Sequence, residues 1–121
     1  MRIVDVFFLA CLGLSLIANE LKAEEPPDFA RIGRPFLQKH CLGCHSGKKP
    51  KAAFSLVEFR DSTSIVRNRE VWKNVLKMVR GGNMPPKGRP RPTATEVNAL
   101  IAHVKAVFDY HDRHELRQAA S

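Results

Sequence analysis

The sequence predicts an all-α fold of three or more helices in a single domain. Two segments carry apolar residues at helical spacing. A pair of glycines closes the first segment, and a Thr-x-x-Glu capping signal opens the second. No stretch alternates apolar and polar residues for long enough to indicate a sheet. A chain of 121 residues provides one domain of ordinary size.

The first 23 residues are expected to be a signal peptide that is not part of the fold. Arg2 supplies a positive start, residues 6–18 form an apolar run that is short for a membrane span, and the small Ala23 precedes Glu-Glu-Pro-Pro. The alternative is a retained leader that anchors the protein to a membrane. Cleavage removes two cations, two anions and Cys11, so the mature chain, residues 24–121, keeps a net charge of +8 and two cysteines.

A first helix is expected from near Phe29 to about His40, with Asp28 as its cap. Pro35 lies inside this stretch, so the helix either starts or kinks there. A basic loop over residues 46–53 follows. Residues 54–59 alternate in polarity but are too few for a sheet, and residues 61–64 indicate a turn or a cap.

A second helix is predicted from about Asn68 to Arg80, where Gly81 and Gly82 end it. Its apolar face consists of Val71, Trp72, Val75, Leu76 and Val79. A third helix is predicted to follow the capping box formed by Thr93 and Glu96. Its apolar stripe consists of Val97, Leu100, Ile101, Val104 and Phe108. The polar tail from Asp109 is expected to fray, and His103, His111 and His114 are expected to be solvated.

The segment that indicates chemistry is Cys41-Leu42-Gly43-Cys44-His45. Two cysteines three positions apart on a helical turn face the same side, roughly 5–6 Å from each other. That spacing suits two thioether bonds along one edge of a haem, and the adjacent histidine can then reach the iron. The sequence therefore predicts one covalently bound haem c, attached to Cys41 and Cys44, with His45 as an axial ligand.

Two other uses of the cysteines fit the sequence less well than haem attachment does. A structural zinc site normally recruits a second pair of ligands at matching spacing, and the chain has no second Cys-x-x-Cys. His40 and His45 flank the cysteines too closely for an ordinary Cys2His2 arrangement. A thioredoxin-like redox pair requires a βαβ context, which the predicted helices do not provide.

Met84 is the predicted second axial ligand of the iron. It lies in a Pro-rich loop over residues 83–92, where Pro85 disfavours helix at Met84 and Pro85-Pro86 keeps the segment extended. Met/His ligation raises the reduction potential, which suits an electron carrier. The alternative is a methionine with only a packing role. Met78 is the poorer candidate, because it is predicted to lie away from the apolar face of the second helix.

Trp72 is predicted either to contact the haem, by packing or by donating its indole N–H to a propionate, or to be a core residue. Lys48, Lys49 and Lys51 follow the attachment motif closely and predict a basic rim that steers an acidic redox partner. Association with a membrane surface is left open. The cations are otherwise scattered without a recognition motif, so no nucleic-acid binding is expected.

Several of these segments together resemble the planctomycete-type cytochrome c domain, a class I c-type cytochrome-like domain with one haem. They run from Phe36 to His45, from Trp72 to Val79, from Gly81 to Pro86 and from Pro92 to Val104, within a core of about residues 29–108. The resemblance implies a small all-α fold around one haem, with His45 and Met84 as axial ligands. It also implies that the first and last helices cross, with Gly33 or Ala30 as close-contact points.

The sequence thus predicts an exported, periplasmic protein that carries single electrons and is not itself an enzyme. One alternative is a haem-based sensor, which requires a sixth iron position that Met84 does not hold. Another is a small haem subunit of a larger oxidoreductase. A third is a structural metal module without haem.

Overall fold

A computed structural model describes residues 25–121, and the predicted signal peptide lies outside these residues. The described chain contains four α-helices, one short 3-10 turn and no β-strand: α1 Gly33–His40, the 3-10 turn Lys51–Ala53, α2 Ser62–Arg67, α3 Arg69–Arg80 and α4 Ala94–Ala119. The all-α prediction is confirmed. Within residues 25–121, none of the helices has the length and apolar character needed to cross a membrane.

Helix α1 begins at Gly33, four residues later than predicted. The residues from Phe29 to Ile32 form turns, and Asp28 Oδ1 accepts from Ala30 N at 2.9 Å, so Asp28 caps a turn and not a helix. Pro35 explains the late start. Its missing N–H and bulky ring are tolerated in a first helical turn and disfavoured further along.

Glycine is required at position 33 because of Phe29, four residues earlier, and not because two helices cross there. A Cβ atom at Gly33 would lie only 1.7 Å from Cε2 of Phe29. The ring of Phe29 therefore occupies the space that a side chain at position 33 would need. Helix α1 does pack on α4, as the resemblance implies, and Phe29 reaches α4 at His103 with the ring centroids 5.9 Å apart.

Helix α2 is absent from the sequence-based expectation, which placed only a turn or cap over residues 61–64. Asp61 and Ser64 form a capping box: Ser64 N donates to Asp61 Oδ1 at 2.8 Å, and Asp61 N donates to Ser64 Oγ at 3.4 Å. The cap is followed by only six helical residues, of which Ile65 is fully buried. A helix of six residues is too short to produce a recognisable helical period in the sequence.

Helices α3 and α4 begin as the sequence predicts, to within one residue. Helix α3 ends at Gly81, and Gly82 has the positive φ of 71° that favours glycine after a helix. The capping box of α4 is confirmed: Thr93 N donates to Glu96 Oε2 at 2.8 Å, and Glu96 N donates to Thr93 Oγ1 at 3.1 Å.

The expected fraying of α4 from Asp109 is wrong, since the helix continues to Ala119. Two contacts of Arg69 hold the extension: a salt bridge to Asp112 at 2.5 Å, and a guanidinium 4.3 Å from the ring centroid of Phe108. A surface ion pair contributes only about 0–1 kcal/mol, so the packing of Phe108 against the core matters as much. Both contacts join residues about forty positions apart, so a local polarity pattern does not reveal them.

Trp72 lies at the centre of the core. Its ring makes edge-to-face contacts with Phe29 and Phe59, with centroids 5.7 and 5.4 Å apart, and no part of the side chain is exposed. The other buried apolar residues are Phe36, Leu37, Leu56, Ile65, Val79, Leu100, Val104 and Val107. They come from all four helices and from the segment before α2, which makes one continuous core.

The histidines of α4 are less solvated than predicted. His103 and His114 are half-buried, and their Nε2 atoms are buried without a hydrogen-bond partner among the described residues. Burial lowers the pKa of His103, and the ring of His114 lies 4.1 Å from that of Tyr110. His111 is also half-buried. The exposure of these imidazoles therefore cannot be predicted from the polar side of the helix on which they lie, because neighbouring side chains cover them.

The carboxylate of Glu96 joins the end of α1 to the start of α4. Glu96 Oε1 lies 2.6 Å from Lys39 Nζ and 3.4 Å from His40 Nε2, while Oε2 accepts from Thr93 N. The pKa of Glu96 is lowered from its usual 4.5 to about 2 by the hydrogen bond from Lys39, then by that from the Thr93 backbone and more weakly by His40. We define Lys39, His40 and Glu96 as the helix clasp.

We expect Glu96→Gln to lower the melting temperature at neutral pH and to have progressively less effect in acid. A carboxyl whose pKa is depressed on folding stabilises the folded state fully above about pH 4.5, and this contribution disappears as the pH falls toward about 2. Thermal unfolding of both proteins across that range measures the difference.

Glu70→Gln is the matched control, because Glu70 also lies in the first turn of a helix and pairs with a lysine, Lys73, of that same helix. It should change stability little at any pH. A stability difference for Glu96→Gln that stays constant from neutral pH to pH 2 would contradict the helix clasp.

Candidate functional site

A cavity of about 390 Å³ lies between the turn after α1, the second half of α3 and the Pro-rich loop that follows α3. This volume falls in the range of roughly 300–1,000 Å³ typical of cofactor and ligand pockets. Its lining includes Cys41, Cys44, His45, Met78 and Met84. The predicted attachment residues and the predicted second ligand are thus brought together in one place.

The attachment motif continues directly from α1 as a further turn. Cys41 N donates to Leu37 O at 2.9 Å, and both Cys44 N and His45 N donate to Cys41 O, at 3.1 and 3.0 Å. These bonds fold the motif into a turn directly after the end of α1, and both cysteines line the same cavity. Both are half-buried free thiols.

The ring of His45 has one nitrogen already committed. Nδ1 lies 2.9 Å from the carbonyl oxygen of Phe54. A carbonyl can only accept a hydrogen bond, so Nδ1 carries the hydrogen and Nε2 keeps its lone pair. Histidines that bind metals typically make such a bond with their second nitrogen. The bond fixes the orientation of the ring and raises the basicity of the nitrogen that binds the metal. His45 therefore has the tautomer and support of an axial ligand.

The loop between His45 and Phe54 is tied back to the motif. Lys51 N donates to Cys44 O, and Leu56 N donates to His45 O, both at 2.9 Å. The ring of Phe54 lies edge-on to the imidazole, with centroids 5.5 Å apart. The loop that follows the motif thus forms the wall that orients His45.

Met78 and Met84 reach the same cavity from neighbouring segments. Asn83 N and Met84 N both donate to Met78 O, at 2.9 and 3.1 Å, so the loop folds back over the end of α3. Met78 is predicted to lie away from the main apolar face of this helix, and it is indeed absent from the hydrophobic core, but it lines the cavity. The signal for it is a second stripe on α3, formed by Asn74, Val75, Met78 and Val79, that lines the cavity beside the core-facing stripe.

Trp72 does not line the cavity. Of its two predicted roles, the structure supports packing in the core. Phe29 and Phe59 enclose the ring, and the stripe of α3 that faces the cavity is centred on other residues. The indole Nε1 is buried without a hydrogen-bond partner among the described residues.

The alternatives of zinc and dithiol chemistry gain no support from the geometry. Within residues 25–121, no cluster of three or more His, Cys, Asp or Glu side chains could hold a metal ion. Burial raises the pKa of Cys41 to about 11. A reactive cysteine of a redox pair needs the opposite shift, because the thiolate is the reactive form.

The residues of the cavity fit a haem. The walls are mainly apolar, with Phe36, Leu56, Val75 and Pro86 among them, and exposed cations, Lys39 and Arg89, border the opening. A planar apolar group with acidic substituents matches this lining. Two thiols and one supported imidazole on a single turn match the groups that would hold it.

One known family matches the chain. The model of the family described as cytochrome C oxidase, cbb3-type, subunit III matches residues 28–104. This range is more than half of the chain and contains every residue that lines the cavity. No curated protein and no solved structure gives a significant match.

The match agrees in extent with the cytochrome c resemblance over residues 29–108, although it does not identify the planctomycete type. The all-α fold, the supported imidazole beside two thiols and the family match lead to one assignment. The chain belongs to the family of cytochrome c domains described as cytochrome c oxidase, cbb3-type, subunit III.

Proposed function

We propose that this protein is an exported c-type cytochrome with one haem, and that it carries single electrons between redox partners. The observation that carries the proposal is the bond from His45 Nδ1 to Phe54 O, which leaves Nε2 free in a cavity that both cysteines also line. A bound haem supplies one-electron chemistry at its iron. Membership of a cytochrome c family supports electron transfer over catalysis.

In this proposal, Cys41 and Cys44 hold the haem through two thioethers, while His45 and Met84 are the axial ligands of its iron. Met84 is preferred because it lies in a loop outside the helices, where the buried Pro85 limits the conformations of the chain next to it. Met78, by contrast, lies within α3. The Met84-Pro85-Pro86 stretch is also what favours the planctomycete type within the cytochrome c domains.

We expect Met84→Ala to abolish the weak near-infrared band of a ferric haem bound by methionine sulfur. The same variant should lower the reduction potential, because a thioether ligand raises it. Met78→Ala is the matched control, since it removes a second thioether from the same cavity. An unchanged band in Met84→Ala together with its loss in Met78→Ala would assign the ligand to Met78.

Carbon monoxide binding distinguishes an electron carrier from a haem-based sensor. The reduced protein should bind the gas slowly and weakly, because Met84 would hold the sixth position of the iron. Met84→Ala should bind it rapidly. Rapid and tight binding by the wild-type protein, measured by optical stopped flow, would favour the sensor and contradict the carrier.

The cavity lies in the basic part of the molecule, which supports an acidic redox partner. Residues 29–57 and 71–95 supply nearly all of its lining, and each segment has six lysines or arginines and no aspartate or glutamate. The two loops that contribute Ala52 and Met84 to the lining also carry exposed cations: Lys48, Lys49, Lys51, Lys87, Arg89 and Arg91. We propose docking through this face, which we call the basic face, onto a protein with an acidic surface.

Replacing Lys48 and Lys49 by glutamine should slow oxidation by the anionic hexacyanoferrate(III) several-fold at low ionic strength. The reason is electrostatic steering, which salt screens. Stopped-flow rates of oxidation of the reduced protein against salt concentration measure it, and oxidation by the cationic tris(1,10-phenanthroline)cobalt(III) should become faster.

The control variant replaces Lys105 and Arg117 by glutamine, which changes the net charge equally. Both are exposed residues of α4, and no residue of this helix lines the cavity. Equal slowing by the two double variants would show an effect of net charge alone and would contradict a basic face that steers docking.

A second candidate function is that of a small haem subunit within a larger oxidoreductase. The family description, which names an oxidase subunit, favours it. The two candidates share the same haem chemistry and the same basic face. They differ in whether the acidic partner is a transient or a permanent neighbour.

A further inference from the structure

The segment Lys51–Phe54 forms a tight turn with two successive left-handed residues. Ala52 has φ 55° and ψ 25°, and Ala53 has φ 51°. Phe54 N donates to Lys51 O at 3.1 Å, which closes the turn. Positive φ at both central residues is the pattern of a type I′ turn, where Asn-Gly or Gly-Gly is normally found. Two alanines are an unfavourable choice, because Cβ crowds the backbone in this region.

The surrounding bonds explain how the chain holds this conformation. Before the turn, Pro50 fixes the incoming direction and Lys51 N donates to Cys44 O. After it, Leu56 N donates to His45 O. The strained residues are therefore bracketed by bonds that both end on the last two residues of the attachment motif. Strained backbone that its surroundings hold in place is commonly found at functional sites.

The residue that leaves the turn is the one that supports the imidazole. Phe54 O accepts from His45 Nδ1 at 2.9 Å. If Ala52 and Ala53 relaxed to negative φ, the chain would leave Lys51 in another direction. Phe54 O could then no longer accept from His45 Nδ1 while Leu56 N still donates to His45 O. The left-handed turn thus determines where the accepting carbonyl lies.

We propose that the Ala52-Ala53 turn is a positioning element for His45 and that it tunes the reduction potential of the haem. This inference rests on the proposed function. A carbonyl that accepts from Nδ1 raises the basicity of the ligand nitrogen, which favours the more positively charged ferric iron. A turn that keeps this bond in place therefore holds the potential lower than an unsupported imidazole would.

The lining of the cavity decides which substitutions are informative. Ala52 lines the cavity, whereas Ala53 is exposed and absent from the lining, so variants at position 53 leave the lining unchanged. Glycine at position 53 preserves the turn and relieves its strain. Proline at position 52 forces φ near −65° and destroys the turn. Valine at position 53 keeps every N–H but strongly disfavours positive φ.

The experiment compares three variants with the wild-type protein, each first shown by pyridine haemochrome to carry covalent haem. Ala52→Pro and Ala53→Val should give a more positive reduction potential. In the reduced protein, the His45 Nδ1 proton should exchange roughly tenfold faster by NMR, as expected on loss of one hydrogen bond. Ala53→Gly, which leaves the cavity lining unchanged, should keep the wild-type potential and melt at a higher temperature.

Ala94→Pro controls for proline itself, because Ala94 is the exposed first residue of α4, where proline is tolerated. It should leave the potential unchanged. If Ala52→Pro fails to take up haem, the reduction potential and the Nδ1 proton exchange rate of Ala53→Val test the inference.

A wild-type potential and exchange rate in Ala53→Val would overturn the inference, as would a shifted potential in Ala53→Gly. Absence of covalent haem from the wild-type protein would instead contradict the proposed function.

Discussion

The hydrogen bond between His45 Nδ1 and Phe54 O is the constraint on which the rest of the site depends. It fixes the tautomer that leaves Nε2 with its lone pair, and it fixes the plane of the ring. The bond is available only because the loop after the motif returns through a left-handed turn and is anchored on Cys44 and His45. The nine residues that follow the motif, 46–54, thus bring the chain back to the carbonyl that orients His45.

The helices supply the frame within which this loop works. The helix clasp joins the end of α1 to the start of α4, so the turn that carries both cysteines begins from a fixed point. Trp72 locks α3 into the core with one face, which leaves the neighbouring face with Val75 and Met78 to line the cavity. The two segments that supply the lining, residues 29–57 and 71–95, each contain six lysines or arginines and no aspartate or glutamate.

The sequence predicts those features that depend on neighbours in the chain. The attachment motif, the capping box at Thr93 and the glycine end of α3 are local, and the structure contains the cap and the helix end as expected. Helix α2 is too short for a period to be visible. The extension of α4 depends on Arg69 of another helix, and such a contact between distant segments leaves no signature in spacing alone. The cavity-facing stripe of α3, which includes Met78, does have helical spacing, but only the structure shows that it lines a cavity.

The claim that two cysteines hold a haem covalently is tested most directly by the intact mass of the mature protein under denaturing conditions. After export and expression with a c-type maturation system, the account predicts a mass that exceeds the polypeptide by one haem. It also predicts the bare polypeptide mass for the double variant Cys41→Ala, Cys44→Ala. A fully matured wild-type protein that unfolds to its bare polypeptide mass would contradict the account.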